Sequence, residues 1–250
     1  MNRAEYLLKT ATFEARSAVE LTREIQSLGL DPKKMTRSQM ELTLAMHYWA
    51  QKHPGEEFPP EFSPMLAQDV STASKDWVDK NFKDSDYWIQ KKANGMRSVL
   101  LLKGNKIRMT SRSRSVSDFM YSAHHDNVLG FKNIKNPFKG QTVLDGELTA
   151  PTPFIDTGSV KTGNQLQAAV ALVSLETDKS LAIQRKVGSL RYTAFDILWW
   201  DGKNVEKEPL NKRHEYVVAA VEMLKKNNPG LPIDVIETVK TYVSAFDVYQ

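Results

Sequence analysis

The sequence predicts an α+β protein, in which a domain of antiparallel sheets flanked by helices follows a small all-α unit. Helical periodicity dominates before residue 53. A segment rich in proline and glycine, at residues 53–60, then excludes any continuous helix. Beyond it, short apolar runs flank two-residue turns, which is typical of β-hairpins. We therefore divide the chain into a helical N-terminal unit at residues 1–57 and a larger domain at residues 58–250.

The composition limits the classes of protein to which the chain could belong. It has 250 residues, of which 41% are apolar, so a substantial core is expected. A net charge of +4 and a pI near 9.0 suit a polyanionic partner. The absence of cysteine excludes disulfides, thiolate zinc sites and cysteine catalysis. Neither a signal sequence nor an apolar stretch of about eighteen residues is found. We expect a soluble, cytoplasmic protein.

Two helices are predicted in the N-terminal unit. Apolar residues keep to one side over residues 3–28, and Gly29 and Pro32 end this helix. A second helix is predicted from Thr36, whose pairing with Gln39 has the form of a capping box, to about residue 51. The pattern leaves the role of this unit open between docking on DNA and packing against the larger domain.

The larger domain is organised around residues 87–97. As a strand, this stretch places Trp88, Gln90 and Lys92 on one face, and Asn94-Gly95 predicts a tight turn because both residues tolerate positive φ. Residues 87–117 contain eight basic residues and no acid. Neighbouring cations favour the nucleophilic amine form of a lysine and attract phosphates. The alternative is a solvated basic hairpin with Lys92 as an ordinary surface lysine.

A β-hairpin is predicted next, with strands at residues 99–103 and 106–111 around Gly104-Asn105. Arg112 and Arg114 follow at its exit. A short helix is expected at residues 117–122, and His124-His125 is interpreted as a solvated loop rather than a metal site.

The second chemically informative stretch is a predicted strand at residues 142–150. Its alternation places Asp145 and Glu147 on one face with Val143 and Thr149. Two buried carboxylates need a cation, for which Mg²⁺ or the nearby lysines and arginines are candidates. A hairpin turn at Asp145-Gly146 is the alternative interpretation.

The remaining elements are predicted from periodicity and turn residues. A helix over residues 164–174 should bury Leu166, Ala169, Val170 and Val173. The strongest strand spans residues 191–200, with Phe195, Ile197 and Trp199 on one face, and ends at Asp201-Gly202. The last predicted elements are a helix over 209–226, a strand over 235–239 and a helix that begins at 244.

Several of these stretches resemble motifs of the covalent nucleotidyltransferases, which include ATP-dependent DNA ligases, RNA ligases and mRNA capping enzymes. The nucleophile motif Lys-x-Asp-Gly-x-Arg corresponds to Lys92-Ala93-Asn94-Gly95-Met96-Arg97. The Ser-Arg, Asp-Gly-Glu and purine-stacking motifs correspond to Ser111-Arg112, Asp145-Gly146-Glu147-Leu148 and Phe195-Asp196-Ile197-Leu198. Phe62-Ser63-Pro64-Met65-Leu66-Ala67 is similar to the usual start of a ligase adenylylation domain.

This resemblance, which covers about residues 58–250, implies an adenylylation (nucleotidyltransferase) domain. It implies that Lys92 attacks the α-phosphate of ATP and carries AMP, with Mg²⁺ as the metal. The roles that it implies for the other residues are Arg97 on the ribose or a phosphate, Arg112 on the phosphate, Glu147 on the ribose or the metal, Phe195 stacked on adenine, and Gln90 at the purine edge. The implied partner is nucleic acid, nicked duplex DNA first, bound by a monomer.

Two departures from the family pattern qualify the expectation. Asn94 stands where the motif usually has aspartate, which puts the metal-assisted later steps in doubt and leaves an RNA ligase as the alternative. A later Glu-Gly-x-x-x-Lys motif and a Lys-x-Lys pair do not occur in the sequence. We therefore expect this chain to be a piece of a longer ligase, with weak or no sealing activity alone. A non-catalytic basic nucleic-acid-binding module is the alternative from a different class.

Overall fold

The computed structural model of the chain describes residues 17–55, 57–58, 62, 88–114 and 121–239. Two helices form the helical unit, and the remaining helices and all strands follow it in the chain. Their bounds are α1 (Ala18–Ser27), α2 (Arg37–Lys52), β1 (Ile89–Gln90), β2 (Met96–Lys103), β3 (Lys106–Arg114), β4 (Tyr121–Ala123), β5 (Thr142–Thr149), α3 (Gln165–Val173), α4 (Thr177–Val187), β6 (Arg191–Trp200), β7 (Lys203–Asn204), α5 (Leu210–Asn227), β8 (Ile233–Val235) and β9 (Thr238–Val239). In this part of the chain no helix has both the length and the apolar character needed to cross a membrane.

The two helices of the helical unit begin at capping boxes. Thr36 caps α2 with Gln39, as the sequence predicts. Ser17 caps α1 with Glu20, and its ψ of 153° is not helical. The prediction of one continuous helix over residues 3–28 is therefore wrong at Ser17, because the reciprocal Ser17–Glu20 hydrogen bonds satisfy the first amides of a new helix. Residues 3–16 lie outside the described residues.

The helical unit has its own small core. Its buried side chains are Leu21, Ile25, Met40, Leu44 and Ala45. It also contacts the sheet, because the Arg108 guanidinium of β3 lies 5.8 Å from the centroid of the Trp49 ring of α2. Cation–π contacts of this kind are worth about 0.5–2 kcal/mol.

The larger domain is built on a seven-stranded sheet, which confirms the predicted α+β class. The strands lie in the order β4-β3-β2-β5-β6-β7, with β8 pairing parallel to β6. The β2–β3 hairpin is confirmed, and so is β5 as a strand rather than a turn at Asp145-Gly146. On β2 and β5, Arg97 lies opposite Glu147 and Val99 lies opposite Asp145.

The two faces of the sheet are covered differently. One face packs against α3 and α5 in the main core, whose sheet residues include Leu100, Leu102, Met109, Leu144 and Leu148. The opposite face carries Arg97, Asp145 and Glu147. Beside them it carries a smaller apolar cluster, against which Phe62 packs, formed by Val99, Leu101, Val143 and Leu198. The alternation predicted for residues 142–150 is thus confirmed.

A ring from β6 fills the space beside the glycine of β5. A Cβ atom on Gly146 would lie 2.5 Å from Cζ of Tyr192 and 2.6 Å from the carbonyl oxygen of Thr193. The buried Tyr192 hydroxyl is 3.0 Å from the carbonyl oxygens of both Ser98 and Leu144. The Tyr192 side chain of β6 therefore links β2 and β5 on the core side of the sheet.

The prediction that Phe195, Ile197 and Trp199 share a face is wrong, because β6 has two bulges. The register with β5 shifts once between Val143 and Leu144 and again between Asp145 and Gly146. Each shift adds one extra residue to β6, so the alternation of its side chains between the two faces of the sheet is interrupted there. Ile197 consequently lies in the main core, whereas Trp199 packs with the smaller cluster.

The predicted strand around residues 87–92 is shorter than expected. Only Ile89–Gln90 forms a strand, and it pairs with Thr238–Val239 in a separate two-stranded sheet. The strand predicted over 235–239 is divided into β8 and β9, which pair with different partners. Tyr121 and Ser122 belong to β4 rather than to the predicted helix, while residues 115–120 and the helix predicted from 244 lie outside the described residues.

Helix α3 buries only part of the predicted face. Ala169 is buried and Val173 packs against the main core, as predicted, but Leu166 and Val170 are exposed. Ala168 and Leu172 are buried in their place. Helix α4 was not predicted, and its polar side chains Ser180 and Gln184 are buried on hydrogen bonds to the Asn127 carbonyl oxygen.

His124 is buried, so the prediction of a solvated histidine loop is wrong for this residue. Its Nε2 atom lies 2.9 Å from Oγ of the buried Ser98, and its Nδ1 atom lies 3.2 Å from the carbonyl oxygen of Ser122. Burial lowers the pKa of His124 to about 4. The folded protein therefore holds the neutral imidazole at neutral pH.

We predict that His124 makes the protein less stable in mild acid. An imidazole in an unfolded chain has a pKa of about 6.5. The stability present above this value is therefore lost as pH falls from about 6.5 towards about 4. Denaturant unfolding at about pH 7 and about pH 5 should show a difference of about 2 kcal/mol from this residue. His124→Gln should reduce the difference and the control His47→Gln should not; equal pH dependence in both variants would contradict the assignment.

Candidate active site

Gly95 brings the segment before β2 into contact with the backbone of β5. A Cβ atom at this position would lie 2.2 Å from the carbonyl oxygen of Leu148, so only glycine fits. The Gly95 amide donates a hydrogen bond of 3.0 Å to Oε1 of Glu147. Neither Asn94 nor Gly95 has a positive φ, and the backbone bends at Gly95 without forming a turn, so the predicted Asn94-Gly95 turn is wrong. The glycine is required for close approach instead.

Lys92 lies in the irregular segment between β1 and β2, and its side chain is exposed. Burial raises the pKa of Glu147 above its usual value, the hydrogen bond from the Gly95 amide opposes this most strongly, and the charge of Lys92 also lowers it. Lys92 lies three residues before the glycine whose amide holds this partly buried carboxylate.

Arg97 and Asp145 form a bidentate ion pair across β2 and β5. Nε of Arg97 lies 3.0 Å from Oδ1 of Asp145, and Nη2 lies 2.5 Å from Oδ2. The side chains are 16% and 2% exposed, so water screens this pair little. The hydrogen bond to Asp145 raises the pKa of Arg97, and burial raises the pKa of Asp145 against the opposing effect of the guanidinium.

Phe195 completes the group on the side of β6. The Arg97 guanidinium carbon lies 5.4 Å from the centroid of the Phe195 ring. Phe195 is the extra residue at the second bulge of β6, since Asp196 pairs with Asp145 and Ala194 pairs with Gly146. The bulge thus turns an aromatic ring towards Arg97 at the point where a regular strand would alternate.

The structure brings together most of the residues that the motifs single out. Arg97, Asp145, Glu147 and Phe195 lie on one face of the sheet, and Lys92 precedes by three residues the Gly95 amide that binds Glu147. Arg112 lies on the same face of the sheet as Arg97. The residues before and after them, Ser111 and Ser98, pair with each other across β3 and β2, and the side chain of Arg112 is exposed.

Gln90 is placed differently. It lies in the two-stranded sheet, where its Nε2 atom donates to Oγ1 of Thr238 at 3.3 Å. Its relation to Lys92 is therefore not the shared strand face that the sequence predicts, because the strand ends before Lys92.

Two carboxylates of the group have distinct surroundings. Both oxygen atoms of Asp145 are engaged by Arg97, whereas one oxygen atom of Glu147 accepts the Gly95 amide. Among the residues that the structure describes, no cluster of three His, Asp or Glu side chains could hold a metal. Of the two, Glu147 is the carboxylate that could join phosphate oxygens around an ion.

The sequence indicates only some of the partners that hold this group in place. It predicts the nearby lysines and arginines as candidate cations for Asp145 and Glu147, and the structure shows that Arg97 is the partner of Asp145. Asp196 lies directly opposite Asp145 and binds Arg213 of α5. Arg213 had no local signal, because it lies on a different element and is identified only by the packing of α5 on β6.

Comparisons with known proteins identify a family and several solved structures to which the chain is similar. The family model described as ATP dependent DNA ligase domain matches residues 64–249. No curated protein sequence matches the chain significantly. Three similar solved structures are mycobacterial DNA ligase D complexed with ATP and MES (TM-score 0.34, 15% identity, 64% of this chain and 43% of that chain), the ligase domain of M. tuberculosis LigD (0.32, 15%, 64% and 44%) and Pmar-Lig_Pre (0.37, 18%, 82% and 40%). The chain thus spans less than half the length of each.

We predict that Gly95→Ala displaces the Lys92 segment from β5. The added methyl group would clash with the carbonyl oxygen of Leu148. Because this oxygen belongs to the backbone, rotation of a side chain cannot relieve the clash, and the backbone must shift. Thermal or denaturant unfolding should show a loss of about 2 kcal/mol. Gly163→Ala is the matched control, because the nearest atom to its Cβ is 4.0 Å away. Equal stability of the two variants would show that Gly95 does not hold this contact.

Proposed function

The chain belongs to the ATP-dependent DNA ligase domain family, and from this premise we propose that it takes AMP from ATP onto Lys92. The observation that carries the proposal is the contact of the Lys92 segment with β5 through the Gly95–Glu147 hydrogen bond. This contact ties the segment that carries the exposed Lys92 to Glu147, on the face of the sheet that also carries the Arg97–Asp145 pair and Phe195. The combination suits a nucleoside triphosphate, which has a base, a ribose and a polyanionic tail.

The proposed first step is a displacement at the α-phosphorus of ATP. The neutral amine of Lys92 attacks, a nitrogen–phosphorus bond forms, and the bond to the bridging oxygen of the β-phosphate breaks. Pyrophosphate leaves, and the proton released from the amine passes to solvent or to a neighbouring base. Covalent lysine catalysis of this kind divides one difficult transfer into two easier ones.

The neighbouring side chains would bind and orient the nucleotide. Phe195 offers a ring face for stacking on adenine, with an energy of about 1–3 kcal/mol per base. Arg97 would contact the ribose or a phosphate, while its pairing with Asp145 fixes the guanidinium plane. Arg112, exposed on the same face, would bind a phosphate.

Two further contacts belong to the proposal. Glu147 would bind the ribose through the oxygen atom that does not accept the Gly95 amide, or would hold Mg²⁺ there. Gln90 would read the purine edge, for which its amide must exchange the bond to Thr238 for one to the base.

Magnesium fits this group through Glu147 rather than Asp145. One carboxylate oxygen together with substrate phosphate oxygens is a common environment for this ion, which retains several waters. Asp145 is unsuited because Arg97 engages both of its oxygens. When bound, Mg²⁺ would neutralise charge on the transferring phosphoryl group.

The later steps are proposed for the whole ligase. AMP would pass from Lys92 to the 5′-phosphate at a nick in duplex DNA, and the 3′-hydroxyl would then displace AMP and seal the strand. The basic residues of β2 and β3 would bind the phosphate backbone without reading sequence. We propose a monomer acting in the cytoplasm.

We predict that Lys92→Arg abolishes labelling of the protein by ATP carrying a labelled α-phosphate. Arginine retains the positive charge but has no amine that can be deprotonated in a protein. Lys91→Arg is the matched control, since Lys91 is the adjacent exposed lysine in the same segment. Mass spectrometry should place one AMP on Lys92 in the wild-type protein and in the Lys91→Arg variant.

Three outcomes would oppose this proposal. An adduct on another lysine would move the nucleophile. Labelling by GTP in preference to ATP would indicate a capping guanylyltransferase. No adduct in the wild-type protein, combined with retained DNA binding, would favour a non-catalytic nucleic-acid-binding module.

A further inference from the structure

A second bidentate ion pair is formed by Asp196, the residue that follows Phe195. Arg213, in the first turn of α5, places Nε 2.8 Å from Oδ1 of Asp196 and Nη2 3.1 Å from Oδ2. The two side chains are 9% and 15% exposed. Nη1 of Arg213 also donates to the carbonyl oxygen of Glu208 at 2.6 Å. One guanidinium thus links β6 to the loop that precedes α5.

The pair is attached at the bulge that orients Phe195. Asp196 is the next residue after Phe195 and is the one that regains the pairing with β5. Its Oδ1 atom also accepts the amide of Ile197 at 2.8 Å. A bulge leaves one residue without a ladder partner, so its direction depends on what holds the flanking residues. Here Arg213 holds the flanking residue on one side.

The pair also compensates one of two like charges that face each other across β5 and β6. Asp145 and Asp196 lie directly opposite each other on β5 and β6, where carboxylates repel. Each has its own guanidinium, Arg97 for Asp145 and Arg213 for Asp196. Burial is the main cause of the raised pKa of Asp145, and the hydrogen bond to Asp145 is the main cause of the raised pKa of Arg97; the charge of Asp196 contributes to both.

Loss of Arg213 would therefore be felt at Arg97. Asp196 would keep a largely buried charge with no fixed cation, and the guanidinium of Arg97, which binds the carboxylate directly opposite, is a candidate cation on the same face. Competition for Arg97 would draw it away from Phe195, whose ring lies 5.4 Å from it.

We propose that Arg213 is a positioning residue for the nucleotide site, acting through Asp196 on the orientation of Phe195 and on the pairing of Arg97 with Asp145. This inference rests on the proposed function, because Phe195 matters to catalysis only if it stacks on the base of ATP. Lysine is not equivalent to Arg213, since an ammonium cannot engage both carboxylate oxygens and the Glu208 carbonyl in a fixed plane.

The first readout requires no nucleotide. The protein is labelled with fluorophenylalanine, and the fluorine resonance of Phe195 is assigned by its loss in Phe195→Leu. Arg213→Lys and, as a second variant, Asp196→Asn should shift or broaden this resonance. Arg191→Lys is the matched control, because Arg191 lies on β6 like Asp196 but forms a more exposed ion pair, with Asp234 of β8.

The second readout is the split between KM for ATP and kcat in adduct formation on Lys92. Arg213→Lys should raise KM by about tenfold in the wild-type background and by no more than about twofold in the Phe195→Ala background. A merely structural role would give the same factor in both backgrounds, because independent sites are additive. Arg191→Lys should leave both constants unchanged.

The outcomes decide separately on this inference and on the proposed function. An unchanged Phe195 resonance in folded Arg213→Lys and Asp196→Asn proteins would overturn the inference, as would equal factors in the two backgrounds. Absence of an adduct on wild-type Lys92 would overturn the proposed function, whereas the resonance would still decide whether Arg213 orients Phe195.

Discussion

The Arg97–Asp145 ion pair is the constraint on which the candidate site depends. Burying a carboxylate costs several kcal/mol unless a cation with good geometry compensates it. At 2% exposure Asp145 has little access to water, so Arg97 must remain on the facing strand. Because the facing strands alternate, a slip of one residue would turn Asp145 and Glu147 into the main core. The charge pair therefore favours one register of β2 with β5, and this register sets Glu147 beside the Lys92 segment.

The two motif glycines serve this arrangement on opposite faces of the sheet. Gly95 permits backbone contact with β5 and gives Glu147 an amide donor, while Gly146 leaves room for the ring of Tyr192. Neither glycine has a positive φ. Their role is steric, so they bring strands and segments close together instead of reversing the chain.

The sequence predicts those features that depend on neighbours along the chain. The capping box at Thr36, the β2–β3 hairpin and the inward face of β5 follow from local turn chemistry and period-2 alternation. The features set by packing between distant elements could not be predicted. Examples are the bulges of β6, the burial of His124 against Ser98 and the inward face of α3. Within the candidate site, motif spacing predicts which residues are candidates, whereas the Arg213–Asp196 pair depends on the packing of α5 on β6.

The contact between Gly146 and Tyr192 has a consequence for how this sequence can vary. A side chain at 146 would occupy the volume of the phenol ring, and a smaller residue at 192 would abandon the hydroxyl that meets the carbonyls of Ser98 and Leu144. The two positions, 46 residues apart in the chain, therefore behave as a single unit of mutation. A larger residue at position 146 therefore requires a smaller one at position 192, together with another contact that links β2 to β5.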